Sequence, residues 1–134
     1  MGTADACALL TPAEVAGIIG GPEPVAQSLP GGGWVATQCS WTNPVSGFLL
    51  SVGTAASIQA FDDPAATDAK ARLVAYKQRL TAEVAKDVAG IGDGAVLGPT
   101  GIAAYAGGTY IEILRLSLTD AQLVEVAKQA LTRL

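Results

Sequence analysis

Residues 94–117, GAVLGPTGIAAYAGGTYIEILRLS, decide the fold class of this 134-residue chain. Three apolar runs of strand length are separated by short segments rich in glycine and proline, the residues that most strongly favour turns. The last run alternates with a period of two, so Tyr110 begins one face of a strand and Ile111 begins the other. The stretch therefore predicts three consecutive strands, over residues 94–97, 101–105 and 109–117.

A second group of three strands is predicted in the first half of the chain. Pro24–Leu29 is expected to be a short edge strand, because proline in sheets is confined to edges and strand starts. Trp34–Trp41 and Phe48–Gly53 predict two further strands, joined by a turn over Asn43–Gly47. The loop at Gly31–Gly33 is expected to be flexible.

Two helices have complete N-terminal signals. Thr11, Pro12 and Glu14 form a capping box with proline at the first helical position. Thr119 and Gln122 form a second box ahead of the final helix. That helix carries an apolar stripe of Leu123, Val126, Ala127, Ala130 and Leu131.

A third helix is predicted between the two groups of strands. Asp63–Pro64 resembles a cap followed by proline, and the helix is expected from Ala65 to about Thr81. Asp68 and Arg72 are spaced to form an i, i+4 ion pair on it.

These elements predict an α+β fold: two successive helix-β-β-β units plus a C-terminal helix, with an antiparallel sheet packed by helices on one side. The length and the absence of a long linker indicate a single domain over residues 1–134. Met1–Cys7 lacks the basic and apolar regions of a signal peptide. This fits a cytosolic protein, or a chain that begins after a removed export signal, with residues 1–6 flexible or cloning-derived.

Composition excludes several classes of function. Lys and Arg number 8 against 12 Asp and Glu, and the net charge of -4 lacks the electrostatic footprint of a nucleic-acid-binding protein. The chain has no histidine, so Ser-His-Asp and Cys-His nucleophiles are impossible, and two cysteines cannot fill a zinc site. Gly90–Ala95 lacks the third glycine of a dinucleotide fingerprint and predicts a turn in which Asp93 accepts a local backbone hydrogen bond. No cofactor and no metal are expected.

The two cysteines indicate the compartment. Cys7 and Cys39 can close a loop of about 33 residues, which is worth roughly 3.7 kcal/mol in the chain-entropy model. The alternative is a pair of buried free thiols in a cytosolic protein. Trp41 follows Cys39 by two residues, so its indole is expected on the same side of the strand, against the disulfide.

Three aromatic residues are the candidate ligand-binding side chains. Trp34 borders the glycine loop and is the better candidate for an exposed contact, and Tyr105 and Tyr110 flank the Ala106–Gly108 turn. Ordinary partial burial is the alternative for all three. No catalytic residues are predicted, although Asp93 and Glu112 are the first choice if acid–base chemistry is present.

An ordered set of motifs resembles a known family. The motifs are Cys7-Ala-Leu-Leu-Thr-Pro-Ala-Glu-Val15, Gly20, Cys39-Ser-Trp41 and Val88-Ala-Gly-Ile-Gly-Asp-Gly-Ala95. In this order they are similar to actinobacterial cell-envelope lipoproteins of unknown function and the related extracellular sensor domain of PknH-type receptor kinases. The resemblance implies an exported α/β sandwich with a concave binding surface, with Cys7 and Cys39 as its disulfide. It implies membrane attachment only through an N-terminal lipid anchor that this chain lacks.

The functional expectation is a non-enzymatic extracytoplasmic binding domain, either a solute-binding or a sensor-like lipoprotein module. Its partner is expected to be a small molecule or a protein, and not a nucleic acid. The first alternative is a protein-interaction module such as an inhibitor or an envelope assembly factor. The second alternative is a small enzyme that uses carboxylates and tyrosines.

Overall fold

A computed structural model describes residues 5–133. Within that range one antiparallel sheet has the strand order β1-β2-β3-β7-β6-β5-β4. Its strands are β1 (Val25–Gly32), β2 (Val35–Thr42), β3 (Gly47–Gly53), β4 (Lys86–Asp87), β5 (Gly94–Leu97), β6 (Gly101–Ala106) and β7 (Thr109–Arg115). The helices are α1 (Pro12–Ile19), α2 (Ala55–Phe61), α3 (Ala69–Gln78) and α4 (Asp120–Leu131), preceded by a 3-10 turn at Ala6–Ala8. The predicted α+β class is confirmed.

The two halves of the chain join at the centre of the sheet. β3 pairs with β7, which places Leu49 opposite Leu114 and Ser51 opposite Glu112. The strands of each half otherwise pair with their neighbours in sequence. The long-range pairing of β3 with β7 therefore makes one sheet out of a three-stranded group, β1–β3, and a four-stranded group, β4–β7.

Helices cover both faces of the sheet, so the expectation of helices on one side is wrong. One face, called the α4 face, packs Ile111 and Ile113 of β7 into a core with α1 and α4. The other, called the α3 face, packs Tyr110 of β7 into a second core with α2 and α3. β7 carries apolar residues at both odd-numbered and even-numbered positions, as expected for a strand that is buried on both faces of the sheet.

The segment between β3 and β5 differs most from its prediction. α2 begins at Thr54, whose hydroxyl accepts from the Ser57 amide at 3.1 Å while the Ser57 hydroxyl accepts from the Thr54 amide at 2.9 Å. Asp63 does not cap a helix; its carboxylate accepts from the amide of Ala65 in a turn. The cap of α3 is Asp68, which accepts from the Ala71 amide at 2.8 Å.

The N-terminal segment is fastened to the α4 face. Cys7 and Cys39 form a disulfide with their Cα atoms 5.1 Å apart, as predicted. Trp41 lies with Cys39 in the buried cluster of this face. The expectation of a flexible start concerns residues 1–6, of which 1–4 lie outside the described residues, whereas Asp5 caps the 3-10 turn and Ala6 is buried.

Both predicted capping boxes are confirmed, and the helices that they start are tied together. The Thr11–Glu14 box begins α1 and the Thr119–Gln122 box begins α4. Arg133, just after α4, donates to both carboxylate oxygens of Glu14 at 2.6 Å. This bidentate pair holds the end of α4 against the start of α1.

Candidate functional site

Part of the α3 face is uncovered. α3 lies over β5, β6 and β7, whereas α2 approaches β2 and β3. Along the remaining surface the aliphatic side chains are exposed: Val25 by 69%, Leu114 by 49% and Leu116 by 67%. This uncovered part is called the open face.

The strand register arranges the open face in cross-strand rows. One row contains Gln27, Ser40, Leu49 and Leu114. The next contains Leu29, Gln38, Ser51 and Glu112, and the Gln38 amide donates to the Ser51 hydroxyl at 3.0 Å. The face thus mixes leucine with amides and hydroxyls, and Glu112 is the only charged residue in these two rows.

A groove runs between the open face and α3. Its volume is about 180 Å³, which is below the roughly 300–1,000 Å³ of pockets that enclose a drug-sized ligand. It is called the Glu112 groove and is lined by Leu49, Ser51, Tyr76, Thr100, Gly101, Glu112, Ile113 and Leu114. A site of this size holds a small solute or one group of a larger ligand.

Among the residues that the structure describes, Glu112 is the one charged side chain that lines this groove. Its Oε2 accepts from the Tyr110 hydroxyl at 2.6 Å and lies 3.3 Å from the Arg79 guanidinium. Both contacts go to the same oxygen, and Oε1 has no hydrogen-bond partner among the described residues. With a quarter of the side chain exposed, Oε1 is an acceptor available to a ligand.

Two tyrosines stay protonated beside this carboxylate. Burial raises the pKa of the Tyr110 hydroxyl above its ordinary value, and the charge of Glu112 raises it further. Burial and then the same charge also raise the pKa of Tyr76, which lines the groove. Both hydroxyls are therefore hydrogen-bond donors at neutral pH, and neither serves as a base.

The structure brings the three predicted ligand-binding residues together, but inside the α3 core. Tyr105 pairs with Tyr110 across the strands, and the Trp34 ring stands edge-on to Tyr110 at 5.0 Å. Tyr110 has no exposed surface, and Trp34 is half-buried rather than an exposed contact. None of the three lines the Glu112 groove.

Arg72 explains why Trp34 is covered. Its guanidinium lies 5.3 Å from the Trp34 ring centre and 5.5 Å from that of Phe61, a cation between two aromatic rings. Its ion-pair partner is Asp63, at 3.2 Å, and not Asp68 as the helical spacing predicted. Arg72 fastens the β1–β2 turn to the α2–α3 segment.

Asp93 and Glu112, the first choice for acid–base chemistry, lie in different settings. The Asp93 carboxylate accepts from the Gly107 amide at 2.7 Å, so it supports the β6–β7 turn across the sheet rather than its own turn. It shares no hydrogen-bond partner with Glu112 and does not line the groove. The two carboxylates do not form an acid–base pair.

Sequence reasoning missed Tyr76, Arg79 and the row of Leu49 and Leu114. Arg79 directly follows α3, and it reaches Glu112 only because α3 packs across β7. The one available signal was Glu112 itself, a charge inside an apolar strand of period two.

Comparison of the chain with protein-family models, with curated proteins and with solved structures found no significant match. Over residues 5–133 no helix has the length and apolar character needed to span a membrane. In the same range no three His, Cys, Asp or Glu side chains are grouped to hold a metal ion.

Proposed function

We propose that this protein is a non-enzymatic extracytoplasmic binding domain, a solute-binding or sensor-like lipoprotein module, whose ligand occupies the Glu112 groove. The observation that carries the proposal is the Oε1 of Glu112, which lies at a concave site and has no hydrogen-bond partner among the described residues. Of the predicted residues Trp34, Tyr105 and Tyr110, Tyr110 donates a hydrogen bond to Glu112 from within the core.

The lining of the groove suggests the chemistry of the ligand. Oε1 of Glu112 accepts hydrogen bonds, so it favours an ammonium, amide or hydroxyl group. Leu49 and Leu114 offer an apolar wall to the rest of the molecule. The ligand class is therefore a small polar solute with at least one N–H or O–H donor and an apolar edge.

The same geometry favours binding over catalysis. Arg79 and Tyr110 both engage Oε2 of Glu112, which fixes the orientation of this carboxylate. The raised tyrosine pKa values remove the neighbouring hydroxyls as bases. Acid–base catalysis needs a second group of matched pKa within reach of the substrate, and the groove lining offers none.

The disulfide supports an extracytoplasmic location. Disulfides persist in oxidising compartments and are rare where thiols are kept reduced. Trapping free thiols with an alkylating reagent in whole cells, before lysis, tests this location. We expect Cys7 and Cys39 to remain unmodified, and recovery of the doubly alkylated protein would contradict it.

Binding is tested by following the backbone amide signals of ¹⁵N-labelled protein by NMR during titration with ethanolamine. This probe carries both an N–H and an O–H donor. We expect the amides of Leu49, Ser51 and Leu114 to shift. Acetate, which has no N–H or O–H donor at neutral pH, is expected to leave them in place. Shifts confined to Trp34 and Tyr105 would contradict the proposed location.

Glu112→Gln is the matched variant, because it retains an acceptor for Tyr110 and removes the charge. We expect ethanolamine to bind it at least about tenfold more weakly, a loss of roughly 1.4 kcal/mol. Glu125→Gln on α4 makes the same charge change at an exposed position, and its affinity is expected to be unchanged. Equal affinities for both variants would remove Glu112 from the site.

A protein-interaction module is the second candidate, and the exposed aliphatics of the open face favour it. Val25, Leu114 and Leu116 are exposed together on one face, as interaction patches are. Cross-linking in intact cells tests it, with Leu116→Ser as the variant and Val74→Ser, exposed on α3, as the control. A cross-linked species lost only in Leu116→Ser supports a protein partner.

A further inference from the structure

β1 is an edge strand whose outer side is open. It pairs with β2 on one side, and no other strand within residues 5–133 pairs with it. All of its residues are exposed except Leu29, which is half-buried. An edge of this length presents unpaired backbone groups to any strand that matches it.

The ladder identifies which backbone groups point outward. The Asn43 amide donates to the Ser46 carbonyl across the β2–β3 pair. Because the direction of the backbone groups alternates along a strand, those of the odd-numbered residues of β2 point towards β3 and those of the even-numbered residues point towards β1. The backbone N–H and C=O groups of Gln27 therefore point towards its partner Ser40. Those of Ala26 and Ser28 point away from β2, at the open edge of the sheet.

Pro30 leads to the same assignment by a separate argument. It pairs with Thr37 but has no N–H, so it fits this ladder only at a position that does not donate to β2. Even-numbered residues of β1 thus carry the outward groups. Between Pro24 and Pro30, the donors that point outward are the amides of Ala26 and Ser28.

We infer that a second copy of this chain pairs antiparallel with β1 about a two-fold axis at Gln27. In this register Ala26 of each copy bonds with Ser28 of the other, so every outward donor between Pro24 and Pro30 meets an outward carbonyl. Pro24 of one copy falls opposite Pro30 of the other, and because neither has an N–H to donate, the ladder ends at these prolines.

Side chains match across the same axis. Gln27 lies opposite Gln27 of the second copy, and Val25 lies opposite its Leu29. Residues 24–33 carry no charge, so the seam places no like charges together despite the net charge of -4. Edge strands are commonly protected by an inward charge, a lysine or proline. β1 has no charge and no lysine, and prolines stand just before it at Pro24 and within it at Pro30, so the edge is open only between them.

The pairing extends the sheet of one copy into that of the other. A two-fold axis perpendicular to the sheet keeps equivalent faces on one side, so both open faces and both Glu112 grooves point the same way. The inference stands apart from the proposed ligand, because it depends only on the β1 edge.

Sedimentation velocity over a micromolar to millimolar concentration series tests the pairing. We expect the wild-type protein to shift from monomer to dimer, and Ser28→Pro to remain monomeric because it loses an outward donor without touching the β1–β2 ladder. Ser28→Ala keeps the amide and is expected to dimerise like the wild type. Circular dichroism checks that Ser28→Pro is folded, and a folded Ser28→Pro that still dimerises would overturn the inference, as would a wild-type protein that stays monomeric.

A charge swap tests the register itself. Gln27→Lys and Gln27→Glu each place like charges opposite one another in the dimer, so each alone is expected to be at least about tenfold weaker in self-association. Mixed in equal amounts, they are expected to form a heterodimer, which native mass spectrometry resolves by mass. Homodimers of either variant at wild-type strength would exclude an axis at Gln27.

Discussion

The two faces of the sheet are built from different chemistry. The α4 face is closed and almost entirely aliphatic, and the disulfide fastens the N-terminal segment to it. The α3 face has a smaller core that includes Trp34, Tyr76 and Tyr110, and part of it is open. One face buries the larger apolar core, and the other keeps a carboxylate, an arginine and hydroxyls within reach of solvent.

The largest effect is expected from removing the Cys7–Cys39 disulfide of the α4 face. Cys7→Ala combined with Cys39→Ala removes the disulfide and is expected to lower the free energy of unfolding by about 3.7 kcal/mol, within the usual range of roughly 2–5 kcal/mol. Urea unfolding measures it, with reduced wild-type protein as the control. A loss below about 1 kcal/mol would mean that the 3-10 turn holds without the disulfide.

Neighbouring residues of β7 compare the faces directly. Ile113 is buried on the α4 face and Leu114 is half-exposed on the open face. Ile113→Ala is expected to cost about 2–5 kcal/mol, because it leaves a cavity. Leu114→Ala is expected to cost less than about 1 kcal/mol. Equal losses in urea unfolding would show that the open face is covered in solution.

Two arginines test how far the α3 face depends on ionic contacts. Arg72→Met loses a buried cation held between two rings and is expected to cost about 1–2 kcal/mol. Arg79 is mostly exposed, and Arg79→Met is expected to cost at most about 1 kcal/mol of stability. Thermal unfolding of both variants gives the comparison, and a reversed order would contradict the role assigned to Arg72.

The smallest effect concerns the ion pair between Glu14 in α1 and Arg133, which follows α4. Arg133 lowers the pKa of Glu14 from 4.5 to about 2, through its hydrogen bonds first. Because the pKa is lower in the folded protein, this stabilisation is present above pH 4.5 and is lost as the pH falls towards 2.

Glu14→Gln checks this pH dependence. We expect the variant to have a lower melting temperature than the wild type at pH 6 and to approach it near pH 2. Glu125→Gln is the control, because that glutamate is exposed on α4. A difference between Glu14→Gln and the wild type that does not change over this range would contradict the ion pair.

Local signals predicted most of the elements, and their failures are specific. The Thr11 and Thr119 boxes predicted α1 and α4 because a cap depends on residues three apart. α2 was missed because Ser57 fills the place that glutamate or glutamine usually takes. Asp63–Pro64 has the composition of a helix start, but Asp63 instead pairs with Arg72 in the folded chain.

The candidate site was harder to predict, because its members come from distant parts of the chain. Glu112 was singled out, but as a partner for Asp93, which lies elsewhere. The side chains of Trp34, Tyr105 and Tyr110 do lie in one cluster, but they pack into the core of the α3 face. Which ring is buried and which carboxylate stays open depends on where α3 crosses the sheet.

By itself the sequence determined the α+β class, the strands β1–β3 and β5–β7, and the first and last helices, because caps, turns and period-two runs are interactions between near neighbours. It indicated the disulfide but left free thiols as the alternative, and it missed β4. Only the tertiary structure decided that β3 pairs with β7, that helices cover both faces and that Glu112 lies in a groove beside Arg79. Those features depend on which distant surfaces bury the most apolar area together, and that choice is made by the whole chain.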